Sequence, residues 1–382
     1  MHTPPILAAA LIAASVTPYA RAIDAPDYGF DWVTITHPGN PAFDGPWAFS
    51  GGLAFFRAAG KVDRVYRITR TEVTVAQWFE FVQAYAPYFT GIHGDGFAGP
   101  DYTSIWIGST GWGDGGVQGF RIADGAENFP TSASFIHIAR FCNWLHNDKA
   151  PGEWAFQDGA YDIAVLQQIA DGDTSILDFR RRPDARYWVA DVDEWTKAVF
   201  YDPNKHGPGQ GGYWKYPHSS DTPLVEGVDT NAGWDWYGGT RPMNLFNVGS
   251  YPHARSPWGL LDASGGAWEW LDYEWNPWMW RNDQVLRRGA AAFVGDTELQ
   301  DQIGRMTTNR LWLVQAGFRL ASVHPCAADL SLPYGLVDLA DIGRFIEAFL
   351  ADDPAADLAP PAGSLGPEDV VAFVASFQNA CQ

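Results

Sequence analysis

The residues with the chemistry to do something are three cysteines, nine histidines and a few acids around one glycine pair. Cys142 falls on the apolar side of a helical pattern and reads as a buried, inert thiol. Cys326 and Cys381 bracket the last stretch of chain and are expected to pair as a disulfide in an oxidising compartment, which leaves Cys142 over. The histidines form no HExxH and no other close ligand spacing, and His137 and His146 do not share a helix face. Ser264 is no nucleophile elbow, because Ala263 precedes it and Asp262 stands where the first glycine would be. The Gly-rich stretch from Gly207 to Gly212 lacks a lysine and a following helix signal, so it reads as a loop and not a phosphate cradle. Asp262 and Glu269 are more informative. They flank Gly265-Gly266, which let the chain turn sharply. Glu269 lies between Trp268 and Trp270, and burying a carboxylate there requires a cation or hydrogen-bond donors. A calcium ion, which gathers carboxylate and carbonyl oxygens together, is one answer; the other is that the two acids sit at the surface in a turn or pair with an arginine.

The elements that must hold these residues are few. Thr74 to Gln77 is a capping box opening a helix with Trp78, Phe81, Val82 and Tyr85 on one face. Ser134 to His146 reads as a second helix. Asp191 to Glu194 is another capping box, with Trp195, Ala198 and Val199 inward. Tyr66 to Ile68 reads as a short strand. With 40 Gly, 26 Pro and 57 aromatic residues (19 Trp, 23 Phe, 15 Tyr), the pattern predicts a loop-rich α+β domain held by aromatic packing.

The formal net charge of −20 argues against nucleic acid as a partner, since phosphate binding needs clustered Lys and Arg. Residues 1–22 read as a signal peptide, with an apolar run from Ile6 to Val16 and a small-x-small site at Ala20-Arg21-Ala22. That run is too short to span a bilayer, which takes ~20 apolar residues, and no later segment is long and apolar enough. The expectation is an exported chain, whether secreted, periplasmic or at the cell surface.

The C-terminus repeats itself. Asp329-Leu330, Gly335, Asp341, Phe345 and Phe349 recur 28 residues later as Asp357-Leu358, Gly363, Asp369, Phe373 and Phe377. Each copy reads as a loop and a short amphipathic helix. The first carries Ile342, Phe345, Ile346 and Phe349 at helical spacing, and the second starts at Gly366-Pro367. The two helices are expected to pack on each other, closed by the Cys326–Cys381 disulfide. Proline or alanine at the alternate positions of these loops makes a structural turn the favoured reading over a calcium loop. The expected organisation is a signal peptide at 1–22, a large domain at 23–324 and the helical two-repeat module at 325–382.

Six segments in order resemble the formylglycine-generating enzyme, or sulfatase-modifying factor, family. They are Arg67 to Thr74, with its Glu72-Val-Thr; Pro130 to Leu145; Tyr187 to Trp195; Trp258 to Trp270; Val285 to Gly289; and Gly317 to Leu320. The resemblance implies a loop-rich variant of the C-type lectin fold. It also implies a calcium site at Asp262, Gly265, Ala267 and Glu269, and a second at Asn231, Ala232, Asn244 and Phe246. Asn244 replaces the family's aspartate in the second site and should weaken it. The C-terminal repeats resemble, more loosely, the dockerin-like tandem repeats of exported bacterial proteins.

Family members that oxidise a substrate cysteine to formylglycine hold copper with two cysteines that follow the closing strand. Phe293 and Glu298 stand in those positions here, and no cysteine lies between Asn143 and Pro325. Neither residue can act as a thiolate ligand or exchange disulfides, so copper is not expected and no catalytic residue is assigned. Two readings follow. One is a calcium-stabilised binding or accessory module for a protein, peptide or glycan, with Trp275, Trp278 and Trp280 able to line a groove or fill the core. The other is a metal-dependent oxidoreductase, of sulfatase-modifying or non-haem iron type, with an altered site near Asp296, Glu298, Arg305 and Arg310.

Overall fold

The structure, a computed structural model, describes residues 25–45, 48–49, 58–89, 103–104, 106–112, 118–173, 180–232, 247–272, 284–288, 301–303, 305–310, 316–332, 334–359 and 364–378. Strands β1 (Trp32–Ile35), β2 (Ala48–Phe49) and β3 (Tyr66–Thr69) lead into helix α1 (Val75–Tyr85). The Thr74 side chain accepts from Gln77 N while the Gln77 side chain accepts from Thr74 N, so the expected capping box is present. Strands β4 (Ile107–Trp112) and β5 (Gln118–Ile122) form a hairpin ahead of α2 (Phe135–His146), α3 (Trp154–Gln157) and α4 (Ile163–Ala170). Strand β6 (Tyr187–Val189) runs into α5 (Val192–Phe200), which the Asp191–Glu194 capping box opens as expected.

Short strands follow: β7 (Tyr201–Asp202), β8 (Gly212–Tyr213), β9 (Glu269–Trp270), β10 (Gln284–Arg288), β11 (Arg305–Arg310), β12 (Gly317–Phe318) and β13 (Leu320–Val323). Among the described residues one antiparallel sheet has the order β1-β3-β13-β6 and a mixed sheet the order β12-β9-β10-β11-β2. Strand β13 thus lies between β3 and β6, which ties the end of the large domain to its beginning. Strand β12 stops at Phe318 and β13 starts at Leu320, so Arg319 is carried between the two sheets.

The core is aromatic, as the composition implies. Trp78 and Phe81 on α1 pack against Phe141 on α2, and Trp78 and Phe141 both meet Phe318 at ring separations of 5.8 Å. The fold is mixed α/β and loop-rich, in agreement with the pattern of few helices and short strands.

Beyond β13 come α6 (Leu339–Leu350) and α7 (Pro367–Gln378). Phe345 and Phe373 stack at 4.2 Å over a small separate core with Cys326, Ala328, Ala348 and Ala356. Asp341 Oδ1 accepts from Leu330 N and Ser331 N, and its Oδ2 from Asp338 N. Asp369 makes the same three bonds, with Leu358 N, Ala359 N and Gly366 N. The expected inward face needs one correction. Ile346 is 51% exposed, because two helices bury only a narrow Phe-Ala stripe. This end of the chain touches the large domain where Val65 N donates to Gly335 O.

Candidate functional site

The glycine-rich turn from Asp262 to Glu269 meets two other segments, the strand exit at Glu72 and the turn at Thr230–Ala232. Asp262 adopts a left-handed φ of +55°, and its Oδ2 accepts from Gly249 N at 2.5 Å. Gly265 and Gly266 also have positive φ, and a Cβ on Gly266 would lie 2.5 Å from Glu72 Oε1. A Cβ on Gly265 would collide with Asn231 Oδ1. Only glycine therefore lets the turn approach both side chains. Asn231 Oδ1 accepts from Gly266 N at 2.8 Å, and Glu72 Oε1 accepts from Ala267 N at 2.9 Å. Thr230 Oγ1 fastens the turn further, donating to Ser264 O at 2.9 Å and accepting from Ala232 N.

Glu269 leaves this turn on β9 and enters the core. Arg319 Nε donates to both of its oxygens at 2.9 Å, and Trp195 Nε1 donates to Oε2 at 2.7 Å. The two charged side chains are essentially fully buried. Arg319 also donates from Nη1 to Arg70 O at 2.5 Å and from Nη2 to Leu261 O. Burial pushes the Glu269 carboxyl up, while Arg319 and the Trp195 N–H pull it back down. The cost of a carboxylate between Trp268 and Trp270 is thus met by an arginine. Both Glu269 oxygens thus accept from the protein, in three N–H contacts.

Glu72 is its counterpart. It is 1% exposed, and its Oε2 is buried with no hydrogen-bond partner among the described residues. Burial pushes its carboxyl well up, and the neighbouring Asp262 and Glu269 charges push the same way. Glu72 and Asp262 line one small, partly open cleft, together with Asn231, Asn247, Ser250 and Gly266. Among the described residues no group of three or more His, Cys, Asp or Glu side chains is arranged to hold a metal ion.

Of the expected calcium residues, the structure brings Asp262, Gly265 and Asn231 together and places Ala232 beside them. It turns Glu269 to Arg319. Asn244 and Phe246 lie outside the described residues, as do Phe293, Glu298, Asp296, Trp275, Trp278, Trp280 and Cys381. Glu72, Arg319 and Trp195 lie within the family-like motifs, but their pairing is not readable from spacing. Cys142 is a free, fully buried thiol that burial pushes well up, which suits an inert role. His137 Nδ1 lies 2.8 Å from Ser134 Oγ and His146 Nδ1 accepts from Arg186 N, so both rings serve the packing of α2.

A second charged group surrounds Arg181. Arg181 lies within ion-pair distance of Asp191, Glu194 and Asp272, and stacks 4.5 Å from the Trp188 ring centroid. Asp272 is 1% exposed, and burial pushes its carboxyl up to about 7. It accepts from Tyr161 Oη and Arg181 N. This group knits β6, α5 and the exit of β9 together.

A glycine-rich turn locked between a strand exit and a buried Glu–Arg–Trp triad defines the domain. The chain belongs to the family described as sulfatase-modifying factor enzyme 1-like domain, matched over residues 57–323. No curated protein matches the chain. Among solved structures it is similar to CarF (17% identity, TM-score 0.46, covering 77% of this chain and 98% of that one). It is also similar to Treponema denticola variable protein 1 (15%, 0.42, 76% and 94%) and to PvdO from Pseudomonas aeruginosa (15%, 0.39, 76% and 93%). These likenesses are too distant to assign residues or activity.

Proposed function

We propose that this chain is an exported, calcium-stabilised binding or accessory module that keeps the sulfatase-modifying-factor scaffold without its cysteine chemistry. The observation that carries this reading is the cysteine inventory. The stretch from Asn143 to Pro325 has none, Phe293 and Glu298 stand where the pair would be, and Cys142 is sealed in the core. The family includes both oxidoreductases and non-catalytic members, so a silent scaffold has precedent within it. The C-terminal helices are read as a dockerin-like tandem repeat that anchors the module, closed by Cys326–Cys381. Cys326 is buried with Sγ 3.8 Å from Ser376 Oγ, on the helix that leads to Cys381. The large domain is read as a variant of the C-type lectin fold with a peptide, protein or glycan as ligand.

The test is direct. Incubation with copper and a Cys-x-Pro-x-Arg peptide is expected to yield no aldehyde, while a glycan and peptide panel is expected to yield a ligand. Aldehyde formation would overturn the non-catalytic reading, and a clean negative across the panel would remove the binding one.

A further inference from the structure

We infer that each loop of the C-terminal repeat is closed by an aspartate carboxylate in place of a metal ion, so that this module holds its shape without calcium. The inference rests on the two helices being copies of one repeat. It is independent of what the repeat binds and of any ion in the large domain. Asp341 and Asp369 occupy the same place in the two copies and are 0% and 1% exposed. Asp341 Oδ1 accepts from Leu330 N at 2.7 Å and Ser331 N at 2.8 Å, and its Oδ2 from Asp338 N at 2.8 Å. Asp369 Oδ1 accepts from Leu358 N at 2.7 Å and Ala359 N at 2.8 Å, and its Oδ2 from Gly366 N at 2.8 Å. The loop sequences differ, with Ser331-Leu-Pro-Tyr334 in one copy and Ala359-Pro-Pro-Ala362 in the other. The same closure forms on both because backbone N–H groups supply the donors and only the aspartate side chain is required.

A calcium loop is the reverse of this arrangement. The ion gathers about six to eight oxygens from carboxylates, carbonyls and water. Here successive backbone N–H groups point at one centre in each loop, which makes a cradle for an anion. Their partial positive charge opposes a cation on the same carboxylate oxygens. The Gly366 N–H, with those of Ala359 and Leu358, holds the Asp369 carboxyl below the usual carboxylate range. The remaining donor set is thin. The alternate positions after Asp329 are Ser331 and Pro333, and those after Asp357 are Ala359 and Pro361. Ser331 Oγ donates to Asp341 Oδ1. Asp329 Oδ2 accepts from Gly335 N, and Gly335 O accepts from Val65 N of the large domain, so this loop is already shaped as a seat. Asp329 Oδ1 is left as the one buried carboxylate oxygen of the first loop without a partner among the described residues, and one oxygen does not hold calcium.

The experiment follows amide hydrogen exchange in the full chain, in chelator and in millimolar calcium, at the N–H groups of Leu330, Ser331, Asp338, Leu358, Ala359 and Gly366. The wild type is expected to protect these amides equally in the two solutions. Asp369→Asn keeps one acceptor oxygen but turns an NH2 toward Gly366 N–H. It is expected to speed exchange at Leu358, Ala359 and Gly366 by about 10- to 100-fold in both solutions, with Leu330, Ser331 and Asp338 still protected. Wild-type protection lost in chelator and restored by calcium overturns the inference, and this comparison decides even where the variant fails to fold. Exchange left unchanged by Asp369→Asn overturns it as well, because the carboxylate then does not close the loop. Local exchange is chosen over melting because an ion in the large domain raises the melting temperature without touching these amides. A calcium-induced rise in melting with these amides unmoved therefore supports the calcium reading of the large domain and the metal-free repeat together. Absence of any rise removes the former and leaves the latter standing.

Discussion

Glu269 and Glu72 are both about 1% exposed and both border the same glycine-rich turn, yet the fold treats them differently. Glu269 receives three N–H···O contacts from two side chains and sits in a closed triad with Arg319 and Trp195. Glu72 receives one, from the backbone of the turn, and keeps an unmatched oxygen. Burial is the same and partnering is not. Burial alone therefore does not mark a functional carboxylate; the acceptor capacity left after the fold has used what it needs is the better guide.

Removing the arginine tests the closed side of this contrast and should have the largest effect. Arg319→Met leaves Glu269 charged and unpaired in the core, which costs about 3–5 kcal/mol for a broken buried pair. It also releases Arg70 O and Leu261 O, which Arg319 ties across the two sheets. Urea unfolding should show the loss at neutral pH. A variant as stable as wild type would mean that the triad does not hold the sheets together.

How much of this was legible beforehand follows from sequence distance. The capping boxes at Thr74 and Asp191 were readable because both partners sit within one helical turn. The burial cost of Glu269 is readable from its flanking tryptophans, and so is an arginine as one way to meet it. Which arginine was not readable, because Arg319 lies 50 residues away and arrives through strand order. The role of Glu72 is not readable from its motif, since its contact with Ala267 spans 195 residues. Local hydrogen bonding is written in spacing, whereas the leftover capacity of a buried group depends on what the rest of the chain brings to it.

Trimming the triad gives a smaller, sharper measure of its closure. Trp195→Phe keeps the ring in the core but removes the N–H that Glu269 Oε2 accepts at 2.7 Å. A hydrogen bond to a charged group contributes roughly 1.5–3 kcal/mol, so the expected loss lies in that range. It should be smaller than for Arg319→Met. A loss as large as that of Arg319→Met would mean that the Trp195 N–H, more than the ion pair, closes the triad.

Asp329 carries the comparison into the C-terminal region, where the expected effect is smallest. It is 3% exposed; its Oδ2 accepts from Gly335 N, and its Oδ1 is buried with no hydrogen-bond partner among the described residues. Burial, with Asp341 and Asp338 nearby, pushes its carboxyl up to about 7. In the unfolded chain the group returns to the ordinary carboxylate range, near pH ~4. Between those values the folded form holds a proton that the unfolded form has released. The associated stability is therefore complete below about pH 4 and is lost as pH rises through about 7. Asp329→Asn should remove this slope and melt higher than wild type at pH 8, with the gain gone at pH 4.5. Because Gly335 O accepts from Val65 N, exchange protection of the Val65 amide between pH 5 and 8 reads the same transition locally. Parallel profiles for the two proteins would mean that the half-partnered carboxylate here costs nothing, and that unmet acceptor capacity is informative at Glu72 only because Asp262 shares its cleft.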